Sequence, residues 1–237
     1  MQKNKILDFK SKETMRVTNK SATKAEIIIY APIGEANPWS DSVSAKQFSE
    51  ALKGIDPTVN EITVRINSPG GDVFEGITIY NRLKQHKAKV VVHIDGLAAS
   101  IASIIALAGD EIIMGEGALF MIHLPWTFAM GNRMELDNTV NRLMDVEEQL
   151  ISIYSKKTGM DRTEIKAMLE AETWLDAAQA IEKGFVDSMA KDSLAIAASA
   201  FERSWITKRP KHYKSETKVV DEAKIELKNK INKILGT

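Results

Sequence analysis

The sequence has no cysteine, which removes disulfides, thiolate metal sites and cysteine nucleophiles together and is compatible with a reducing, cytoplasmic setting. Histidine occurs only four times, so imidazole chemistry has few candidates. Neither charge sign dominates: 32 Lys and Arg balance 32 Asp and Glu, which argues against a dedicated nucleic-acid binder. No apolar run approaches the ~20 residues of a membrane span. The opening "MQKNKILDFKSKETMRVTNKSATK" lacks the apolar stretch of a secretory signal. Internal repeats, low-complexity tracts and a G-x-x-x-x-G-K-[ST] phosphate loop are also missing, so this chain hydrolyses no ATP by that route. Neither a metal nor an organic cofactor is expected.

What remains is an ordinary globular composition, 237 residues with 44% hydrophobic and 27% charged, enough for one substantial core. Residues 1–24 read as a flexible leader, 25–190 as the folded domain and 191–237 as a charged, partly helical tail. In that tail Val220, Leu227, Ile231 and Ile234 recur at coiled-coil-like spacing, read here as a generic amphipathic segment. Within the domain, β-branched runs ("AEIIIYAPIG", "EITVRINS", "KVVVHIDG") alternate with amphipathic ones. "SAKQFSEALKGI" carries Ser44 at the N-cap, and "DVFEGITIYNRLKQHK" is expected to pack Phe74, Ile77, Tyr80 (or Ile79) and Leu83. Two short strands are expected around Gly115 and Gly117. Such alternation implies an α/β fold with a largely parallel sheet.

A long helix is expected from Arg133 to Lys157. Its apolar positions, among them Leu136, Val140, Leu143, Met144, Leu150, Ile151 and Tyr154, cover more than one stripe, which fits either a subunit contact or burial within one chain. Two shorter helices follow, the second stopped by Gly184.

The chemistry centres on "HIDGLAASIASIIALAG". Ser100 lies where a strand gives way to a helix, flanked by Ala98, Ala99 and Ala102, so the turn can be tight. A serine hydroxyl becomes a nucleophile only when a base removes its proton and donors meet the developing oxyanion. The N–H of Ile101, in the first helical turn, has no intrahelical partner and sits at the positive end of the helix dipole. Taken alone, a serine here is more often a helix cap. "INSPGGD" offers Gly71 as a second amide donor, or is simply a strand-to-helix turn. In "ALFMIHLPW", His123 ends an apolar strand, as a core histidine or as a base offered to a cleft. His86, His93 and His212 are weaker candidates.

"INSPGGDVFEGITIYNRL", "DGLAASIAS" and "LFMIHLP", in this order and spacing, resemble the Clp protease proteolytic subunit family of serine peptidases over roughly residues 26–189. The resemblance implies a ClpP/crotonase-like superhelix of repeated β-β-α units with a protruding long helix. It makes Ser100 the nucleophile, His123 the general base, and the amides of Gly71 and Ile101 the oxyanion hole. The order Ser, His, acid is permissible because a triad is defined by geometry. Where the family has Asp, "EAETWLDAAQAIEKGFVD" places Glu172, with Asp176 and Asp137 as outside candidates for the third member. The resemblance also implies homo-oligomeric rings, heptameric and often stacked in pairs, acting on protein or peptide substrates. The unusual leader and charged tail resemble the phage and prophage branch, whose members are thought to process capsid or scaffold proteins. An AAA+ ATPase unfoldase is a further expected partner; nucleic acid and membrane are not.

Three other readings stand beside this one. The first is a catalytically weak, ring-forming assembly protein, motivated by Glu in place of Asp and by the helical tail. The second is a crotonase-type thioester enzyme, which needs no Ser/His pair. The third is a Ser–Lys peptidase, which usually comes with membrane association.

Overall fold

The strands owe their places to residues that alternate between core and surface. In the computed structural model, which describes residues 15–19, 21–35 and 41–190, β1 (Met15–Asn19) pairs antiparallel with β2 (Lys24–Ile29). β2 runs parallel to β3 (Glu61–Ser68), and β3 runs parallel to β4 (Lys89–Ala99). Ala25, Ile27 and Ile29 on β2 and Ile62, Val64 and Ile66 on β3 are buried, while the residues between them are partly exposed.

β4 is the organising strand. Its Val91–Ile94 stretch pairs with β5 (Glu111–Met114), and its end, Leu97–Ala99, pairs with β6 (Leu119–Ile122). β6 in turn pairs antiparallel with β7 (Thr173–Leu175), and β5 pairs with β8 (Ser188–Met189). The result is the mixed α/β architecture expected, with a mainly parallel sheet ordered β1-β2-β3-β4-β5-β8. β7 and β8, of three and two residues, are too short to leave a period in the sequence.

β1 departs from the reading of residues 1–24 as a leader. Met15 and Val17 alternate with Arg16 and Thr18, which gives the segment one buried face to lay beside β2. The chain divides into units of residues 1–202 and 203–237, and every described residue lies in the first. The amphipathic tail lies outside the described residues.

The helices begin where caps are encoded. Ser44 opens α1 (Ala45–Lys53) through a capping box with Gln47, and Asp72 opens α2 (Val73–Lys84) by accepting from the Phe74 and Glu75 N–H groups. α2 buries Gly76, Ile79 and Leu83, with Ile77 and Tyr80 packed at the margin. Phe74 is instead 69% exposed. At about 100° per residue it falls opposite the centre of the Gly76–Ile79–Leu83 stripe, which corrects its expected place in the core.

α3 (Ile101–Ala106) is buried along its whole length. A Cβ added at Gly76 would lie 2.2 Å from Cγ1 of Ile101, so the small residue on α2 is what lets α3 approach. Gly76→Ala is therefore expected to destabilise by ~1–3 kcal/mol, read as a lower Tm; an unchanged Tm would mean that this packing is loose.

α4 (Arg133–Thr158) starts at an Asn132–Glu135 capping box and ends at Gly159 with φ 74°. Leu150, Ile151 and Tyr154 pack into the core, whereas Met134, Leu136, Val140 and Met144 in its first half are exposed. α5 (Arg162–Glu170) and α6 (Ala177–Glu182) follow, α6 capped by Asp176 and succeeded by Gly184 at φ 75°. The rings of Phe120 and Tyr154 both pack on Phe185, with centroids 5.3 and 5.9 Å away, tying α4 to the sheet. Among the described residues no helix is long and apolar enough to cross a membrane.

Candidate active site

β4 ends at Ala99 opposite Met121 of β6, and that register brings Ser100 and His123 together. The Ser100 N–H donates to the Met121 carbonyl at 2.9 Å, continuing the ladder by one residue. His123 follows β6 directly, and the chain beyond it is held by the Leu124 N–H donating to the Leu169 carbonyl at 3.2 Å. Across this junction His123 Nε2 lies 2.8 Å from Ser100 Oγ.

Ser100 occupies the N-cap of α3 without acting as a side-chain cap: its hydroxyl makes no capping hydrogen bond. Its backbone, at φ 55° and ψ −129°, lies where side chains rarely go. Ser100 and Glu172 are the two non-glycine residues with positive φ among the described residues, and both sit at this site. Such outliers persist where surrounding structure over-determines them.

His123 is largely buried, and burial holds its pKa below the ordinary imidazole value because the imidazolium would lose hydration. The Glu172 carboxylate opposes that shift. Glu172 Oε2 stands 4.0 Å from Nδ1, an ion-pair distance rather than a hydrogen bond, and its side chain is 54% exposed. The Trp174 indole N–H donates to the other carboxylate oxygen at 3.3 Å. The ring thus turns Nδ1 toward an acid and Nε2 toward an alcohol. With its proton on Nδ1, Nε2 is free to accept the hydroxyl proton of Ser100.

The other acid candidates serve elsewhere. Asp176 accepts from the Gln179 N–H as the cap of α6, and Asp137 pairs with Arg133 on the exposed surface of α4.

The glycine loop closes the site from the side of β3. Gly70 has φ 89°, and a Cβ there would lie 2.6 Å from the Ala99 carbonyl oxygen and 2.7 Å from Ser100 Cβ. Gly71 has φ 144°, and its added Cβ would lie 2.0 Å from the Ile33 carbonyl oxygen. Ile33 clamps this loop: its N–H donates to the Gly70 carbonyl at 2.8 Å, and its carbonyl accepts from the Asp72 N–H at 2.9 Å. Those flanking bonds leave the Gly71 N–H on the side away from Ile33. Among the described residues neither it nor the Ile101 N–H donates to another group of the protein. Two unused amides therefore stand near the Ser100–His123 pair, the donor set an oxyanion requires.

Beyond His123 the chain is irregular to Asn132 and exposes Trp126, Phe128 and Met130. Sequence reasoning missed three parts of the site: the Ile33 clamp, the Trp174 contact, and a buried pair, Ser103 and Tyr154, behind Ser100. Only Ser103 left a signal, a second serine one helical turn after the first. Among the described residues no cluster of His, Asp and Glu could hold a metal ion.

The family model described as Clp protease matches residues 10–193. An ATP-dependent Clp protease proteolytic subunit of Leuconostoc citreum is 32% identical over 142 residues, 58% of this chain and 70% of that protein. Subunit 1 of the same description from Chlamydia muridarum is 28% identical over 160 residues, 64% of this chain and 83% of its own length. Among solved structures, a ClpP1 mutant from Listeria monocytogenes superposes with a TM-score of 0.61 at 25% identity, over 70% of this chain and 91% of that one.

Proposed function

Since this chain belongs to the Clp protease family and is a serine endopeptidase, we propose that Ser100 and His123 carry its chemistry. Ser100 Oγ attacks the scissile carbonyl carbon as its proton passes to His123 Nε2. The carbonyl oxygen takes the negative charge and is met by the Gly71 and Ile101 N–H groups. His123 then returns the proton to the leaving amine, which leaves an acyl-enzyme on Ser100. Water, activated by the same imidazole, releases the second product. The observation that carries this reading is the 2.8 Å Ser100–His123 contact made by a helix-cap serine that caps nothing.

A fluorophosphonate probe should modify Ser100, as located by mass spectrometry, and should end hydrolysis of a fluorogenic peptide in step with labelling. Assembled protein whose Ser100 resists the probe would favour a ring-forming scaffold of the same fold. The exposed, 4.0 Å contact of Glu172 is the feature that keeps this second reading in view.

Glu172 we assign to orienting and stabilising the imidazolium. Burial depresses the His123 pKa, so its basic form predominates at neutral pH and kcat/KM should fall on acidification, through an apparent pKa below the usual ~6.5. The carboxylate raises that pKa, so Glu172→Gln should move the acid limb to still lower pH. It should also cut kcat roughly tenfold, less than for a buried, hydrogen-bonded acid, because the contact is long and solvent-screened. An acid limb that stays in place or moves upward would remove Glu172 from this role.

The working form we propose is a homo-oligomeric ring, single or stacked. The exposed apolar first half of α4 supports assembly, and light scattering on the full chain reads its mass. For substrate we favour a phage or prophage capsid or scaffold protein. Residues 194–237, which lie beyond the family match, support a specialised member. The relatives' description as ATP-dependent supports the alternative, a Clp ATPase partner. Cleavage of an unassembled scaffold protein without ATP, against degradation of a folded protein only with an ATPase, separates the two.

A further inference from the structure

Ser103 and Tyr154 are both buried, and neither takes part in the proton transfers above. Ser103 Oγ lies 2.5 Å from the Ser100 carbonyl oxygen and 2.6 Å from the Tyr154 hydroxyl. A carbonyl only accepts, so the single proton of Ser103 goes to Ser100, and Tyr154 must be the donor to Ser103. Burial raises the Tyr154 pKa, which keeps that donor protonated. The same Ser100 carbonyl also accepts from the Ser103 N–H at 3.0 Å.

The peptide unit involved is the one that carries the Ile101 N–H. A trans peptide is planar, with C=O and N–H pointing opposite ways, so the donors that fix the direction of the Ser100 carbonyl also fix that of the Ile101 N–H. Donors on a carbonyl polarise its amide and strengthen the N–H at the other end. We propose that Ser103, held by Tyr154 of α4, is a positioning residue for oxyanion binding: it sets the plane of the Ser100–Ile101 peptide and sharpens its N–H as a donor. The inference rests on the reading of Ser100 as nucleophile and the Ile101 N–H as oxyanion donor. It adds to that reading two side chains that touch no substrate.

The experiment uses the full chain, a fluorogenic peptide and a peptide boronic acid, whose tetrahedral adduct on serine mimics the charged intermediate. Ser103→Ala should lower kcat about tenfold, leave KM within about twofold and weaken the boronic acid by the same factor as kcat, since donor strength matters most where charge develops. Tyr154→Phe should act in the same direction by about threefold, and the double variant should be no weaker than Ser103→Ala alone, as for one chain of hydroxyls. Ser103→Ala with kcat within about twofold of the parent, or with a fall in kcat that the boronic acid does not follow, overturns the proposal. If Ser103→Ala fails to fold by circular dichroism, Tyr154→Phe decides by the same pair of measurements. Failure of the parent reading looks different: Ser100→Ala would still hydrolyse the peptide. Failure of this inference alone leaves Ser100→Ala dead, with Ser103→Ala either at the parent's kcat or slowed without a matching loss of boronic acid binding.

Discussion

Ser100→Ala should lower kcat/KM for peptide hydrolysis by roughly 10⁴-fold or more and abolish fluorophosphonate labelling, while leaving Tm near that of the parent. The pairing of those outcomes is the informative part. A serine that truly caps a helix loses ~1 kcal/mol on change to alanine, because a backbone donor is orphaned. The Ser100 hydroxyl caps nothing and meets His123 at 2.8 Å, so its removal should cost the fold little and the chemistry nearly everything. A variant that loses stability but keeps turnover would return Ser100 to the role of cap. Measurement of kcat/KM beside a thermal melt separates the two.

Gly71→Ala is expected to have the next largest effect, a loss of about 10²–10³ in kcat, the range seen when one oxyanion donor is removed. The added Cβ would lie 2.0 Å from the Ile33 carbonyl oxygen. That obstacle is main chain and cannot swing aside as a side chain would. The loop must shift, and the Gly71 N–H shifts with it. Gly117→Ala is the control. Gly117 has positive φ but nothing within 4 Å of its added Cβ, so the substitution should cost about 1 kcal/mol of stability and no turnover. If Gly71→Ala turns over like the parent, the second donor lies elsewhere.

How much of this was legible in the sequence depended on how far each signal reached. A capping serine marked the start of α1, amphipathic spacing marked α2, and β-branched runs marked β2 and β3, because those preferences act over a few residues. Ser100, His123 and Gly71 stood out as motifs, and the register between β4 and β6 is what turns the first two into neighbours. Glu172 was legible as a residue type but not as a distance; it stands 4.0 Å from His123 on a backbone in the left-handed region after α5, which no local pattern announces. The link between Ser103 and Tyr154 spans 51 positions and reflects the docking of α4 on α3, which no local pattern encodes. Phe74 was misplaced because the packed stripe of α2 includes Gly76, a residue that the apolar spacing did not count.

The forked pairing of β4 has an evolutionary consequence. Ser100 and His123 follow directly on the two strands of one ladder, whose last rung is Ala99 opposite Met121, so their spacing is inherited from the sheet rather than from any surface segment. The irregular stretch after His123, with Trp126, Phe128 and Met130 exposed, can therefore change by mutation while the Ser100–His123 contact is kept. Under the proposed role of Ser100 and His123, that stretch is free to drift in sequence without disturbing their spacing.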